Sequence, residues 1–388
     1  MSFLTGIKKN VVFLGLVSML TDISSEMIFS ILPLFLTNVI GVGGMILGII
    51  EGIAESTASI LKLVSGWLSD KIGKRKIFVD FGYGFSTISK IIFALANSWP
   101  IVLIARLADR VGKGLRTAPR DAIIAQYSVK KYRGKVFGFH RMLDTGGAVI
   151  GPLLVLLIFP FLGYRPVFWL AVIPAALAVF VLLVFVKIKE KAESKKFFQQ
   201  KISYKFSTFN KNFRRFIYIA GFFSITNFSY AFLLIRAQSL GVAVSLAVFM
   251  YLLFNISYVI FAMPIGMISD KIGRKNTILL GYLVFTIMCA GFTFAQNYYW
   301  VFLLFPLYGI VMPVVEGVQK AFVSDLVKEN KRGTALGIYN GIIGIALLPA
   351  SLIAGFLYQF ISFSAPFIFG IIISLTAAGL MLFLIKGK

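Results

Sequence analysis

Apolar stretches long enough to cross a bilayer recur along this chain. They run approximately over 11–38, 44–68, 77–96, 100–126, 135–159 and 166–186, and again over 214–236, 243–268, 277–295, 300–322, 334–359 and 365–385. A hydrocarbon core about 30 Å thick takes roughly 20 helical residues per crossing. Inside it, every backbone N–H and C=O must find its partner within the protein. The recurrence predicts an all-α integral membrane protein with twelve transmembrane helices. Composition agrees: the chain is 59% hydrophobic and only 14% charged, whereas soluble domains are about a quarter charged. The first run is too long for a secretory leader, contains Asp22 and Glu26, and lacks a small-residue cleavage site.

The net charge of +24 could suggest a nucleic-acid partner. The basic residues instead punctuate the apolar runs and form no face on a soluble fold, so no nucleic acid is expected. They set an orientation. Lys8, Lys9, Lys71, Lys74, Arg75, Lys76, Lys130, Lys131, Arg133 and Lys135 fall in one set of connections. Lys271, Arg274, Lys275, Lys328, Lys331, Arg332, Lys386 and Lys388 continue that set, while the opposite connections are almost uncharged. Positive residues mark the cytoplasmic side, so the expectation is a multi-pass protein of the cell membrane with both termini cytoplasmic. Residues 187–213 hold eight lysines against Glu190 and Glu193 and are read as a cytoplasmic linker along anionic headgroups. The expected domains are thus 1–186, the basic linker 187–213, and 214–388.

An internal repeat supports the division. Gly66-Trp-Leu-Ser-Asp70-Lys-Ile-Gly73-Lys74-Arg75-Lys76 returns 200 residues later as Gly266-Met-Ile-Ser-Asp270-Lys-Ile-Gly273-Arg274-Lys275-Asn276, and Arg133-Gly134 returns as Arg332-Gly333. Two six-helix bundles of like layout follow, with a substrate site expected near the midplane between them.

These residues carry a resemblance. Gly66–Lys76 is similar to the loop signature between the second and third helices of the major facilitator superfamily, and the second copy fits almost as well. Arg106 resembles the arginine of that family's fourth-helix motif. Gly138, Gly147, Gly151 and Pro152 reproduce the spacing of its fifth-helix motif, with Val155 and Leu156 where a glycine pair usually trails. The resemblance implies two pseudo-symmetric bundles that carry a small molecule by alternating access. It also implies a cytoplasmic gate at Gly66, Asp70, Gly73, Lys74, Arg75, Asp270 and Arg274. The fifth-helix motif is associated in the family with antiporters, which points to proton-driven efflux.

Charges at membrane depth are costly, so they are expected to face the bundle interior in pairs and to mark function. Asp22 and Glu26 share one face of the first span, and Glu51 and Glu55 repeat the spacing in the second. Lys90 lies in the third. The fourth carries Arg106, Asp109, Arg110, Lys113, Arg116 and Arg120 as one polar stripe, and the fifth adds His140, Arg141 and Asp144. A carboxylic acid in a low dielectric holds its proton more tightly, and a cation beside it loosens that hold. A carboxylate that gains and loses such a partner would take up and release a proton. Asp22, Glu26, Glu51, Glu55, Arg106, Asp109, Arg110, Lys113, Arg141 and Asp144 are the candidates for binding substrate or protons. Asp22 and Glu26 are expected opposite Arg106 and Arg110. The alternative is structural ion pairing throughout. In the second half the cavity candidates are Asn227, Tyr230, Asn255, Tyr258, Glu316 and Asn340.

The function read from these features is secondary active transport of a small solute, proton-coupled and outward, by a monomer in the lipid bilayer. A second reading is import or exchange of a small organic anion held by the fourth-span cations. A membrane enzyme or receptor is a third. No HExxH, nucleophile elbow or P-loop is present, so no enzyme is expected. One cysteine, Cys289, and one histidine leave no metal site, and no cofactor is expected.

Overall fold

A computed structural model of the chain describes residues 7–128, 133–188, 206–328 and 331–385. Lys130, Lys131, the middle of the basic linker (189–205), Lys386 and Lys388 lie outside the described residues. The described chain is helical, in the order α1 (Lys9–Phe29), α2 (Leu32–Asn38), α3 (Gly44–Ile72), α4 (Arg75–Leu95), α5 (Trp99–Gln126), α6 (Arg133–Leu162) and α7 (Tyr164–Phe185). Then come α8 (Lys211–Ser224), α9 (Ala231–Ser239), α10 (Val244–Ile272), α11 (Arg274–Phe294), α12 (Tyr299–Pro313), α13 (Gln319–Asp325), α14 (Arg332–Phe360) and α15 (Ala365–Leu384). A π turn, Val314–Val318, joins α12 to α13. Counted as crossings, α1 with α2, α8 with α9, and α12 with α13 each make one, which gives the twelve expected. Ten of these are long and apolar enough to cross a membrane on length and composition. The remaining two depart for different reasons: α5 carries the charged stripe, and α8 and α9 have 14 and 9 residues on either side of a break.

The repeat is visible in the elements themselves. Helices α3 and α10 have 29 residues each, α4 and α11 have 21, and the ends of α3 and α10 differ by 200 positions. Gly73 and Gly273 close the loop after each pair member at φ 74° and 89°, a region that only glycine enters without strain. The tight turn expected at Gly73 is therefore present twice.

The chain forms two compact units, 1–35 with 57–200, and 36–56 with 201–388. In the first, α1 packs on α6 and α7, and α4 packs on α5 and α7. Glycines set the closest approach of α4 and α5. A Cβ on Gly82 would lie 2.6 Å from Arg116 Cβ, and one on Gly112 would lie 2.5 Å from the Gly82 carbonyl oxygen. An apolar cluster of Val11, Leu14, Val17, Val79, Tyr83, Ile123 and Leu182 fills one end of this unit. In the second, α10 packs on α12, α11 on α15, and α8 on α14 and α15, with the Phe223 and Tyr282 rings stacked at 4.0 Å. Large apolar side chains also point outward, Phe161 and Phe383 being more than 80% exposed. That surface suits lipid, because hydrocarbon makes no demand for polar atoms.

Candidate functional site

Of the six-residue stripe expected on the fourth span, four residues are buried and Lys113 and Arg120 are partly so. Arg106, Asp109, Arg110 and Arg116 of α5 are each no more than 5% exposed. Asp109 and Arg110 lie one turn beyond Arg106, and Arg116 two turns beyond Asp109, which places them on one face of the helix. The close approach of α4 brings Lys90, also fully buried, so that its Nζ lies 2.7 Å from Asp109 Oδ1 and donates to Ser25 Oγ at 2.9 Å. Phe29, the last residue of α1, supplies a ring to three cations. The Arg106 Cζ is 3.8 Å from its centroid, the Lys90 Nζ 4.9 Å and the Arg110 Cζ 4.9 Å. A cation over an aromatic face is attracted by the ring quadrupole, the more so when both are dry. Sequence reasoning missed Phe29. It is one of 40 phenylalanines, and nothing in its local pattern distinguishes it.

A second network joins α1, α5 and α6. Asp144 lies 3.5 Å from Arg120 Nη1 and 3.3 Å from Arg141 Nη1, and it accepts a hydrogen bond from Ser18. Arg120 also donates to Ser18 Oγ at 2.8 Å and pairs with Asp121 at 3.1 Å. Arg116 donates to Ser86 and rests over the Tyr83 ring, 4.6 Å from its centroid. His140 is buried, and its Nε2 has no hydrogen-bond partner among the described residues.

Asp22 and Glu26 sit where α1 meets the glycines of α6. A Cβ on Gly147 would fall 2.8 Å from Asp22 Cβ and 2.5 Å from the Met19 carbonyl oxygen. One on Gly151 would fall 2.7 Å from Glu26 Cβ and 2.8 Å from the Ile23 carbonyl oxygen. Two of the motif glycines are thus the contact points of α6 with the two acids of α1. Gly138 has open space beside it, and Pro152 is buried next to Gly151. The charged groups acting on Asp22 are Asp144, Lys113, Arg116 and Glu26. The cations acting on Asp22 therefore come from about two to three turns further along α5 than Arg106, which lies against Phe29. The expectation set Asp22 and Glu26 together opposite Arg106 and Arg110; for Asp22, the α5 cations acting on it are Lys113 and Arg116.

The loop signatures form ion pairs within their own units. Arg75 Nη2 lies 2.9 Å from Asp70 Oδ1. In the second copy Arg274 Nη2 lies 2.6 Å from Asp270 Oδ1, and its Nε lies 3.4 Å from Asp325 Oδ2 on α13. Gly66 meets Ala118 of α5, and Lys74 is the residue ahead of α4.

In the second unit Glu51 is buried and accepts from Ser229 Oγ at 3.0 Å. Ser229 and Asn227 lie in the break between α8 and α9, and the Tyr230 ring sits 4.8 Å from that of Tyr251. Asn255 donates to the Tyr251 carbonyl, back along its own helix. Tyr258 Oη donates to Glu316 Oε2 at 2.9 Å. Glu55 and Glu316 both act electrostatically on the buried Tyr308. Asn340 is exposed on α14. Gln319, fully buried, lies within hydrogen-bond distance of Tyr339 and Tyr282.

The sequence profile described as Major Facilitator Superfamily matches residues 14–235 and 215–388. The chain belongs to the major facilitator superfamily. An uncharacterized MFS-type transporter of Methanocaldococcus jannaschii is 41% identical over 389 residues, covering 97% of this chain and 95% of that protein. Over a shorter stretch of 126 residues, 32% of each chain, the quinolone resistance protein NorA of Staphylococcus aureus is 24% identical. The crystal structure of the nucleoside transporter NupG superposes with a TM-score of 0.77 at 16% identity, over 98% of this chain and all of that one. The fold is that of a multi-pass membrane transporter, and the protein is not an enzyme. What the buried groups can do is correspondingly restricted to binding and moving charge: carboxylates that accept a proton or cation, and cations that hold them or an anion.

Proposed function

We propose that this superfamily member is a proton-coupled exporter of a small solute, with both termini cytoplasmic. The observation that carries the proposal is the position of Asp22 and Glu26. They sit on the α1 face that rides against Gly147 and Gly151, with Lys113, Arg116 and Asp144 acting on Asp22. A carboxylate among both acids and bases changes its proton occupancy when a small movement alters which neighbour is nearest. The bare backbone at Gly147 and Gly151 lets α1 lie directly against α6, with no side chain there to block a slide of one helix along the other. The likeness to NorA over about a third of the chain supports efflux as the direction. The two loop signatures serve as the cytoplasmic gate, and Glu316 with Tyr258 is the corresponding acid of the second half.

The test is transport in proteoliposomes with and without a pH difference. Three probes span the charge classes: ethidium as an organic cation, norfloxacin as a quinolone, and succinate as an organic anion. The proposal expects pH-driven accumulation of at least one non-anionic probe. Accumulation of succinate alone, unaffected by a proton ionophore, would favour the anion reading, in which Arg106, Arg110, Lys113 and Arg141 hold the solute.

A further inference from the structure

Span ten is not a plain helix. Over Val314–Val318 it widens into a π turn directly after Pro313, and the Gln319 N–H bonds back to the Val314 carbonyl, five residues earlier. In an α-helix that N–H would have gone to the Val315 carbonyl. The Val315 oxygen is instead taken by a side chain from another helix: Tyr339 Oη of α14 donates to it at 3.1 Å. Tyr339 is 1% exposed.

The same hydroxyl lies 2.8 Å from Gln319 Oε1, and Gln319 Nε2 lies 3.3 Å from Tyr282 Oη. A hydroxyl has one proton and cannot donate to two acceptors at once. Turning the Gln319 amide over, which exchanges its oxygen and nitrogen, removes the conflict. Tyr282 O–H then donates to the amide oxygen, the amide N–H donates to Tyr339, and Tyr339 donates to the Val315 carbonyl. All three buried groups are satisfied in one direction, and the chain ends on the carbonyl that the π turn released.

On the opposite side of the turn lie Glu316 and Gly317, both exposed, and Gly317 has open space around it. Glu316 accepts from Tyr258 of α10 at 2.9 Å. Consecutive helical residues are about 100° apart around the axis, so the location of one surplus residue decides which side chain of this stretch faces Tyr258. A π turn is a frequent companion of functional sites, and here its position is fixed by a named bond.

We propose that Tyr339 is a positioning residue: by bonding the Val315 carbonyl it pins the π turn of span ten, and so presents Glu316 to Tyr258 as the acid of the second half that meets the transported charge. The role of Glu316 rests on the function proposed above; the pinning does not.

The experiment uses the full chain with Cys289→Ala and a reporter, Gly317→Cys, alkylated by N-ethylmaleimide. Tyr339→Phe removes only the hydroxyl. It should change the alkylation rate at position 317 by tenfold or more, as the surplus residue migrates and the reporter turns. Tyr282→Phe, an equally buried loss of one hydroxyl, leaves the Val315 carbonyl bonded and should keep the rate within twofold. An Asn340→Cys reporter on α14 should stay within twofold in both. Unchanged reactivity at 317 in folded Tyr339→Phe protein overturns the proposal, as does an equal change in Tyr282→Phe. Should Tyr339→Phe fail to accumulate, deletion of Gly317 gives the same test by melting temperature. The deletion removes the surplus residue and restores the α bond to Val315, so in that background Tyr339→Phe loses only its bond with Gln319 and should lower the melting temperature no more than Tyr282→Phe does. Persistent failure of Tyr339→Phe there overturns the pinning. Neither readout involves transport. If the labelling succeeds and Glu316→Gln still transports its probe normally, the reading of Glu316 fails alone.

Discussion

Neutralising Asp109 leaves Lys90 charged, fully buried and without its carboxylate. The two side chains are 0% and 2% exposed, and their charged atoms are 2.7 Å apart. Removing one member of a buried pair typically costs about 3–5 kcal/mol, because the survivor keeps its desolvation penalty and loses its counter-charge. Arg110 and Arg116 also act on Asp109, so three cations lose one shared anion and the upper part of that range is expected. For a body of 150–250 residues, each kcal/mol moves the melting temperature by roughly 2–4 °C, so a cost of about 4–5 kcal/mol in Asp109→Asn should lower it by roughly 8–20 °C. The assay is thermal unfolding of purified protein in detergent, run on Asp109→Asn, Lys90→Met and the double variant. Replacing both partners by groups of similar size is often close to neutral. The double variant should therefore recover most of the loss, with a coupling energy of at least ~2 kcal/mol. Ser25 Oγ, which receives a bond from Lys90, can still be served by its own helix. Additive losses, or a single variant that melts as the wild type does, would refute the claim that this pair is a structural anchor.

Gly147→Ala and Gly151→Ala each put a methyl group within 3 Å of α1 atoms. Overpacking of that kind costs about 1–3 kcal/mol; thermal melts should show it, and the pH-driven component of transport should fall more than exchange does. Phe29→Leu removes the ring that three cations share, worth about 2 kcal/mol or more where dry. Thermal melts of Phe29→Leu and Arg106→Lys, singly and together, should be less than additive; full additivity would mean that ring and guanidinium do not interact.

Much of this fold was legible in the sequence because the bilayer restricts what an apolar run can become. The twelve crossings, the repeat and the turn glycines Gly73 and Gly273 follow from residue type and spacing alone. The burial of Arg106, Asp109, Arg110 and Arg116 followed as well, since charges at that depth must turn inward. Partners were harder. Periodicity shows which face a residue occupies and not how far one helix has slid along its neighbour. That is why Lys90 with Asp109, and Lys113 and Arg116 near Asp22, were not foreseen as pairings. Phe29 was hidden for a different reason, as an aromatic residue in a chain full of them. The π turn was invisible because one surplus residue leaves no mark on an apolar run. Only the positions of Tyr339 and Gln319 on separate helices reveal what holds it.

The central claim is that protons drive transport through the acids of α1. The most direct measurement is accumulation of a transported probe in proteoliposomes under an imposed pH difference, for the wild type, Asp22→Asn, Glu26→Gln and the double variant, with probe exchange at equal pH measured in parallel. The account predicts that the neutralised variants still exchange the probe but no longer concentrate it. Undiminished pH-driven accumulation in all three variants would contradict it.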